Sequence, residues 1–282
     1  RCADPAHCGN LLDPAPAYLD RWREKFGSGR QVNRLFRSLT ADKAPSTLPM
    51  PRSGILHTRF LHRSFDTVAS AHIESRAFEL AGYLMMLPYL LTLTANSMHS
   101  CFTRKGRAEA HYIVPVNLDG RGTARLEETK FFNHVLFTYY KFDACLCRNR
   151  QALCEDVKSQ LYEQVKNRTS YHVEQASRLL RIVPAWVLAR LLRIPFKGAV
   201  ASYSFSYIGD SGYVDDRFMG IPVDNIVHMP RVPTPPGIGV FFTRYRGRLN
   251  LVLAYLQGQL DECEAGALVD DLTEQLTEKD GA

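Results

Sequence analysis

The stretch Pro233–Leu260, PTPPGIGVFFTRYRGRLNLVLAYLQGQL, decides the fold. Val240, Phe242 and Arg244 alternate with Phe241, Thr243 and Tyr245, Arg246-Gly247 supplies a turn, and Leu249, Leu251, Leu253 and Tyr255 resume the alternation. A period of two on both sides of a Gly-containing turn is the pattern of two adjacent antiparallel strands. Asp261 then opens DECEAGALVDDLTEQL as a helix N-cap, with Glu262 and Glu264 in a first turn where the helix dipole favours carboxylates.

Working back from this hairpin, ASYSFSYIG and IPVDNIVHM read as two further strands. Between them and Arg168 lies QASRLLRIVPAWVLARLLRIPFKG, with Arg178, Arg181, Arg190 and Arg193 beside Leu179, Leu180, Trp186, Leu191 and Leu192. Such a stretch either covers a sheet with snorkelling arginines or makes peripheral contact with a membrane. Arg148 to Arg168 is a surface helix with Leu153, Val157, Leu161 and Val165 as its buried stripe. HVLFTYYKF and AHYIVPVNLD are strands, and Pro115 in the second places it at a strand end or sheet edge. Residues 80–95 carry no charge, but the run is shorter than the roughly 20 residues of a membrane span and holds Gly82 and Pro88, so a buried helix is expected. ILHTRFLHRSF alternates as a strand, and Asp66 begins a helix through about Glu79. AYLDRWREKFGSGRQVNRLFRSL is one helix in a connector, residues 1–51, followed by the proline-rich linker KAPSTLPMPRSG. The expected class is α/β, a mixed and mostly antiparallel sheet covered by helices, formed by residues 52–282.

At 282 residues and 45% hydrophobic content the chain can bury a large core, which excludes a disordered class. A net charge of +6 from scattered arginines argues against a dedicated nucleic-acid groove and allows anionic ligands. Seven cysteines, odd in number and irregular in spacing, fit a reducing cytoplasm. Cys145, Cys147 and Cys154 match no common zinc spacing, so no metal is expected. RCADPAHCGN lacks the apolar core of a signal peptide.

Four blocks carry a resemblance: HYIVPVNLDGR (His111 to Arg121), FFNHVLFTYYKF (Phe131 to Phe142), SYSFSYIGD (Ser202 to Asp210) and the closing Pro233–Leu260 segment. In order and spacing they resemble the condensation-domain and wax ester synthase-like acyltransferases of the chloramphenicol acetyltransferase-like superfamily. Members of that family have two similar α/β halves with a tunnel between them, and this chain resembles the second, C-terminal half. The resemblance implies acyl transfer from a coenzyme A or carrier thioester to an alcohol or amine, on a small-molecule or lipid acceptor; the apolar residues around Phe131 to Phe142 and the Leu-rich helices permit a fatty acyl chain, or serve as core. It implies no bound cofactor, since coenzyme A enters as substrate, and it implies a first-half lobe as partner.

The family's base lies in a His-His-x-x-x-Asp-Gly motif of the first half, and this sequence holds no copy. Leu61-His62-Arg63-Ser64-Phe65-Asp66-Thr67 keeps the His–Asp spacing but replaces the leading His and the Gly. His62 is therefore a weak candidate base, beside the reading of Asp66 as a helix cap, and His134, among Phe132, Val135 and Phe137, is another. His7, with five residues between it and Asp13 rather than three, also fails the pattern. The motif is expected to precede residue 1, and the chain alone is expected not to turn over. Candidate tunnel residues are Asn133, Ser204, Ser206 and Gly209; alternation puts Ser204 and Ser206 on one strand face, where they contact substrate or simply face water. Arg121 and Arg125 are either phosphate contacts at a tunnel mouth or ordinary surface charge. A non-catalytic module that binds acyl, pantetheine or protein partners is the alternative.

Overall fold

Fifteen elements follow from these patterns in a computed structural model that describes residues 21–41, 44–51, 56–108, 110–119, 135–180, 183–184, 186–187, 190, 201–210 and 217–278. They are α1 (Trp22–Leu39), β1 (Thr58–Ser64), α2 (Thr67–Ala81), α3 (Met86–Arg104), β2 (His111–Asp119), β3 (Val135–Asp143), a 3₁₀ turn (Leu146–Arg148), α4 (Arg150–Lys166) and α5 (Thr169–Leu180). β4 (Ser204–Asp210), the short pair β5 (Arg217–Phe218) and β6 (Ile221–Pro222), β7 (Ile238–Tyr245), β8 (Arg248–Leu256) and α6 (Glu262–Thr277) complete the chain order.

Local signals set several boundaries. Asp66 caps α2 by accepting from Ala69 N–H at 2.7 Å, and Asn149 caps α4 by accepting from Ala152 N–H at 3.0 Å. Asp261 and Glu264 form a reciprocal capping box on α6. The uncharged run divides: Gly82, at φ 104°, ends α2, and Pro88 sits in the first turn of α3, where no intrahelical N–H is needed. α3 is buried along most of its length, and no single helix among the described residues is long and apolar enough to cross a membrane.

Six strands form one sheet in the order β1-β8-β7-β4-β2-β3. β1–β8, β8–β7 and β2–β3 are antiparallel, while β7–β4 and β4–β2 are parallel. The expected mixed and mostly antiparallel sheet is present. On its first face Tyr112, Val116, Phe205, Val240, Phe242 and Leu251 pack under α2, α3, α4 and α6 in one continuous core. That core includes Cys101, Cys147 and Cys154, and burial pushes the Cys147 thiol up to about 12. His99, also buried, shares a 2.9 Å hydrogen bond between its Nδ1 and the Tyr112 hydroxyl; burial first, then Arg148, lowers its pKa from the ordinary value.

The second face is covered as well. α1 packs Leu35, Phe36 and Leu39 against Ile113 and Tyr139, so the helix read as a connector is seated on the sheet. At the other end, Val227 and Val232, from an extended strap between β6 and β7, cover Phe241, Val252 and Ala254. This explains why β7 and β8 are buried at almost every position although their sequences alternate.

Two expectations need correction. Pro115 is neither at a sheet edge nor at a strand end: β2 lies between β4 and β3. Ile113 N–H bonds Ser202 Oγ at 3.1 Å, so alternate residues, Pro115 among them, turn their nitrogens toward β4. There the ladder is short, Val116 with Phe205 and Asn117 with Ser206, and the missing donor falls just outside it. IPVDNIVHM is not a strand beyond Ile221–Pro222. Pro222, Pro230 and Pro233 cannot donate to a ladder, and side chains instead fasten this strap to the sheet.

Candidate functional site

Pairing registers build the second face row by row. One row runs Asn117, Ser206, Phe241, Val252, His62 from β2 to β1. The neighbouring row carries Thr243, Asn250 and Ser64 on β7, β8 and β1. Together they draw a polar stripe, Asn117–Ser206–Thr243–Asn250–Ser64, diagonally across an apolar wall.

Ser204 and Ser206 share this face, as alternation requires, but neither faces water: each is 3% exposed. Ser204 lies beside Gly239, where a Cβ would stand 2.9 Å from the Phe241 ring and 3.1 Å from Ser204 Cβ. Glycine is what lets the Phe241 ring lie flat over β7 at that point. Among the described residues the buried hydroxyls of Ser204 and Thr243 have no hydrogen-bond partner. Gly209, at φ 78°, sits in the bulge that shifts the β4–β7 register between Tyr207 and Asp210. Arg244 braces that bulge, its guanidinium 3.1 Å from Glu74 and 3.5 Å from Asp210.

His62 lies at the far end of the same face, three strand spacings or roughly 14 Å from Ser206. The sheet aligns these two candidates in one row but does not bring them together. His62 Nε2 is 3.3 Å from Asn250 Oδ1. An amide oxygen only accepts, so Nε2 carries the proton and the lone pair of the neutral ring is on Nδ1. Asn133, His134, Arg121 and Arg125 lie outside the described residues.

The residues that sequence reasoning missed are Asn225 and Asn250. Asn250 is fully buried. Its Oδ1 accepts from Asn225 Nδ2 at 2.8 Å, and its Nδ2 donates to Asn225 Oδ1 at 3.1 Å and to Ile226 O at 3.4 Å. Asn225 Nδ2 also reaches Ser64 Oγ at 3.1 Å, and its Oδ1 accepts from Ile226 N–H at 2.9 Å. Backbone groups at Ile226 fix both amide orientations, because a carbonyl cannot donate and an N–H cannot accept. An Asn within LNLVLAYL was the available signal, since a buried polar side chain in an apolar strand implies a dedicated partner. On the same strap, burial lowers the pKa of His228.

No family model and no curated protein sequence matches the chain. Solved structures do. TRI3 trichothecene 15-O-acetyltransferase from Fusarium sporotrichioides superposes with a TM-score of 0.64 at 15% identity, over 90% of this chain and 52% of that one. The epimerization domain from the third module of tyrocidine synthetase B gives 0.62 at 15% identity, over 92% and 57%. The chain has the fold of these structures, a chloramphenicol acetyltransferase-like one. SgcC5 protein from Streptomyces globisporus belongs with these matches, at 0.58 and 15% identity over 96% and 62%. The chain thus spans little more than half the length of these chloramphenicol acetyltransferase-like structures. At such identities the likeness concerns the fold, and the chemistry of any one match stays with that protein.

Proposed function

We propose that this chain forms one wall of an acyl channel in a thioester-dependent acyltransferase, the C-terminal lobe of a two-lobed molecule. The donor would be an acyl-coenzyme A or an acyl-carrier thioester and the acceptor an alcohol or amine. The observation that carries this reading is the polar stripe across the second sheet face, set in a fold shared with an acetyltransferase and an epimerization domain. Attack on a thioester builds negative charge on the carbonyl oxygen, and hydroxyl or amide donors aimed there stabilise it. In this reading Asn117 and Ser206 would supply such donors. The proton-accepting group would be carried by a first lobe.

Incubating the chain with acetyl-coenzyme A and a panel of alcohols and amines, alone and after adding a first-lobe polypeptide that carries the His motif, tests this. Turnover only in the mixture is expected. Turnover by the chain alone would overturn the division of labour and return His62 and His134 to candidacy. The second reading, a non-catalytic binding module, draws on the sealed hydroxyls of Ser204 and Thr243; saturable binding of coenzyme A thioesters without turnover in any mixture would favour it.

A further inference from the structure

The two edges of the sheet are treated differently. On β3 the outward backbone groups are taken up by α4: Gln160 Oε1 accepts from Lys141 N–H at 3.0 Å, its Nε2 donates to Lys141 O at 2.7 Å, and Gln164 Nε2 donates to Tyr139 O at 3.2 Å. Side-chain amides there stand in for a neighbouring strand. On β1 nothing does. Phe65 N–H donates to Leu249 O, and His57 O accepts from Gln257 N–H, both at 2.9 Å. In an antiparallel pair both groups of one residue turn the same way and successive residues alternate. Odd-numbered residues therefore bond β8, and Thr58, Phe60, His62 and Ser64 turn their N–H and C=O groups outward. Among the described residues these outward groups have no partner. The strand pairs in unbroken register for seven residues without a bulge, and Phe60, its third residue, stands 36% exposed. A regular, uncovered edge of this kind is a template for another strand.

We propose that the strand added here is β1 of a second copy of this chain, antiparallel about a twofold axis through Phe60; the inference is independent of the acyl-transfer reading. Outward residues must pair with outward residues, which leaves few registers. Centring the axis on Leu61 sets Arg59 opposite Arg63 of the second copy, like charges in contact. Centring it on His62 drives the seam against the strap that Asn225 ties to Ser64. With the axis at Phe60, Arg59 faces Leu61 and Arg63 faces His57. The guanidinium of Arg63, 2.8 Å from Asp270 within its own copy, then comes beside the pocket lined by Arg59, Lys105, Asp261, Glu262 and Glu264, where the carboxylates of Asp261 and Glu262 are exposed. Thr58 pairs with His62 on either side of a Phe60–Phe60 contact, about six backbone hydrogen bonds in all. The result is an isologous dimer with one sheet continuous through both copies.

Light scattering on the full chain at about 100 µM should give twice its 32.0 kDa mass. Phe60→Arg, which sets like charges on the axis, should give the monomer with an unchanged far-UV spectrum and a melting temperature that no longer depends on concentration. Phe60→Pro removes an outward N–H without touching the β8 ladder and should do the same. Across the axis the two Cα atoms would lie about 5.5 Å apart, within reach of a disulfide. Phe60→Cys under mild oxidant should therefore yield a cross-linked dimer in excess of the wild-type chain treated identically. A wild-type monomer at this concentration, a dimer that survives both Phe60→Arg and Phe60→Pro, or no excess cross-link would overturn the proposal.

Discussion

Replacing Asn250 with alanine tests whether the strap is fastened by its amide pair or merely laid on by its valines. The side chain is fully buried and takes part in two reciprocal bonds with Asn225, at 2.8 and 3.1 Å, plus longer ones to His62 and Ile226. A buried hydrogen bond contributes about 0.5–1.5 kcal/mol net, and an abandoned buried acceptor costs about 1–3 kcal/mol. Ile226 O loses its side-chain donor in the variant, so Asn250→Ala should cost about 2–4 kcal/mol. Asn225→Ala, at a half-buried position, should cost about 1–2 kcal/mol. The two reciprocal bonds should appear as a coupling of about 1–2 kcal/mol in the double-mutant cycle. Urea titrations of the four proteins, followed by circular dichroism, supply the numbers. For a chain of this length Asn250→Ala should also melt about 4–8 °C lower. Additive single-variant costs, with a coupling below about 0.5 kcal/mol, would refute the reasoning and leave Val227 and Val232 as the fastening.

Three more expectations follow from the described geometry. Gly239→Ala drives a methyl to within 2.9 Å of the Phe241 ring and should cost about 1–3 kcal/mol; Phe241→Leu in the same chain should recover part of the melting temperature, and no recovery would mean the clash lies elsewhere. His99 and His228 have lower pKa values folded than the ordinary 6.5, so the unfolded chain binds more protons below that pH. The stability of the neutral rings is complete above the ordinary value and fades as pH falls through it toward the folded values. Urea midpoints should therefore drop between about pH 7.5 and 5.5, less steeply in His99→Gln, and an identical slope in that variant would remove His99 from the account. Asp261→Ala breaks the capping box of α6 and should cost about 1 kcal/mol by urea titration, whereas Asp261→Ser should restore most of it.

Features written in neighbouring residues were legible before any coordinates. The β7–β8 hairpin needs only its own alternation and Arg246-Gly247, and the caps at Asp66 and Asp261 need only the residues three positions on. Pro115 misled because edge or interior is decided by where β4 comes to lie, and β4 is distant in sequence. The apolar letters of IPVDNIVHM suggested a ladder, but its backbone is held by proline geometry and by an Asn225–Asn250 pair 25 residues apart. Ser204 and Ser206 were assigned to the right face of the right strand. That this face is covered depends on α1 and the strap, two segments with no local mark of their destination. The polar stripe itself emerges only when five strands are set in register.

The junction of β4 with β2 has a mechanical consequence. Elsewhere neighbouring strands are zipped over most of their length, yet here the backbone ladder is two residue pairs and the contacts of Ser202 with Ile113. The sheet is in effect two stiff panels joined by a thin hinge line, and Ser206 and Asn117 sit on that line. Any load that wedges the panels apart concentrates its strain there first.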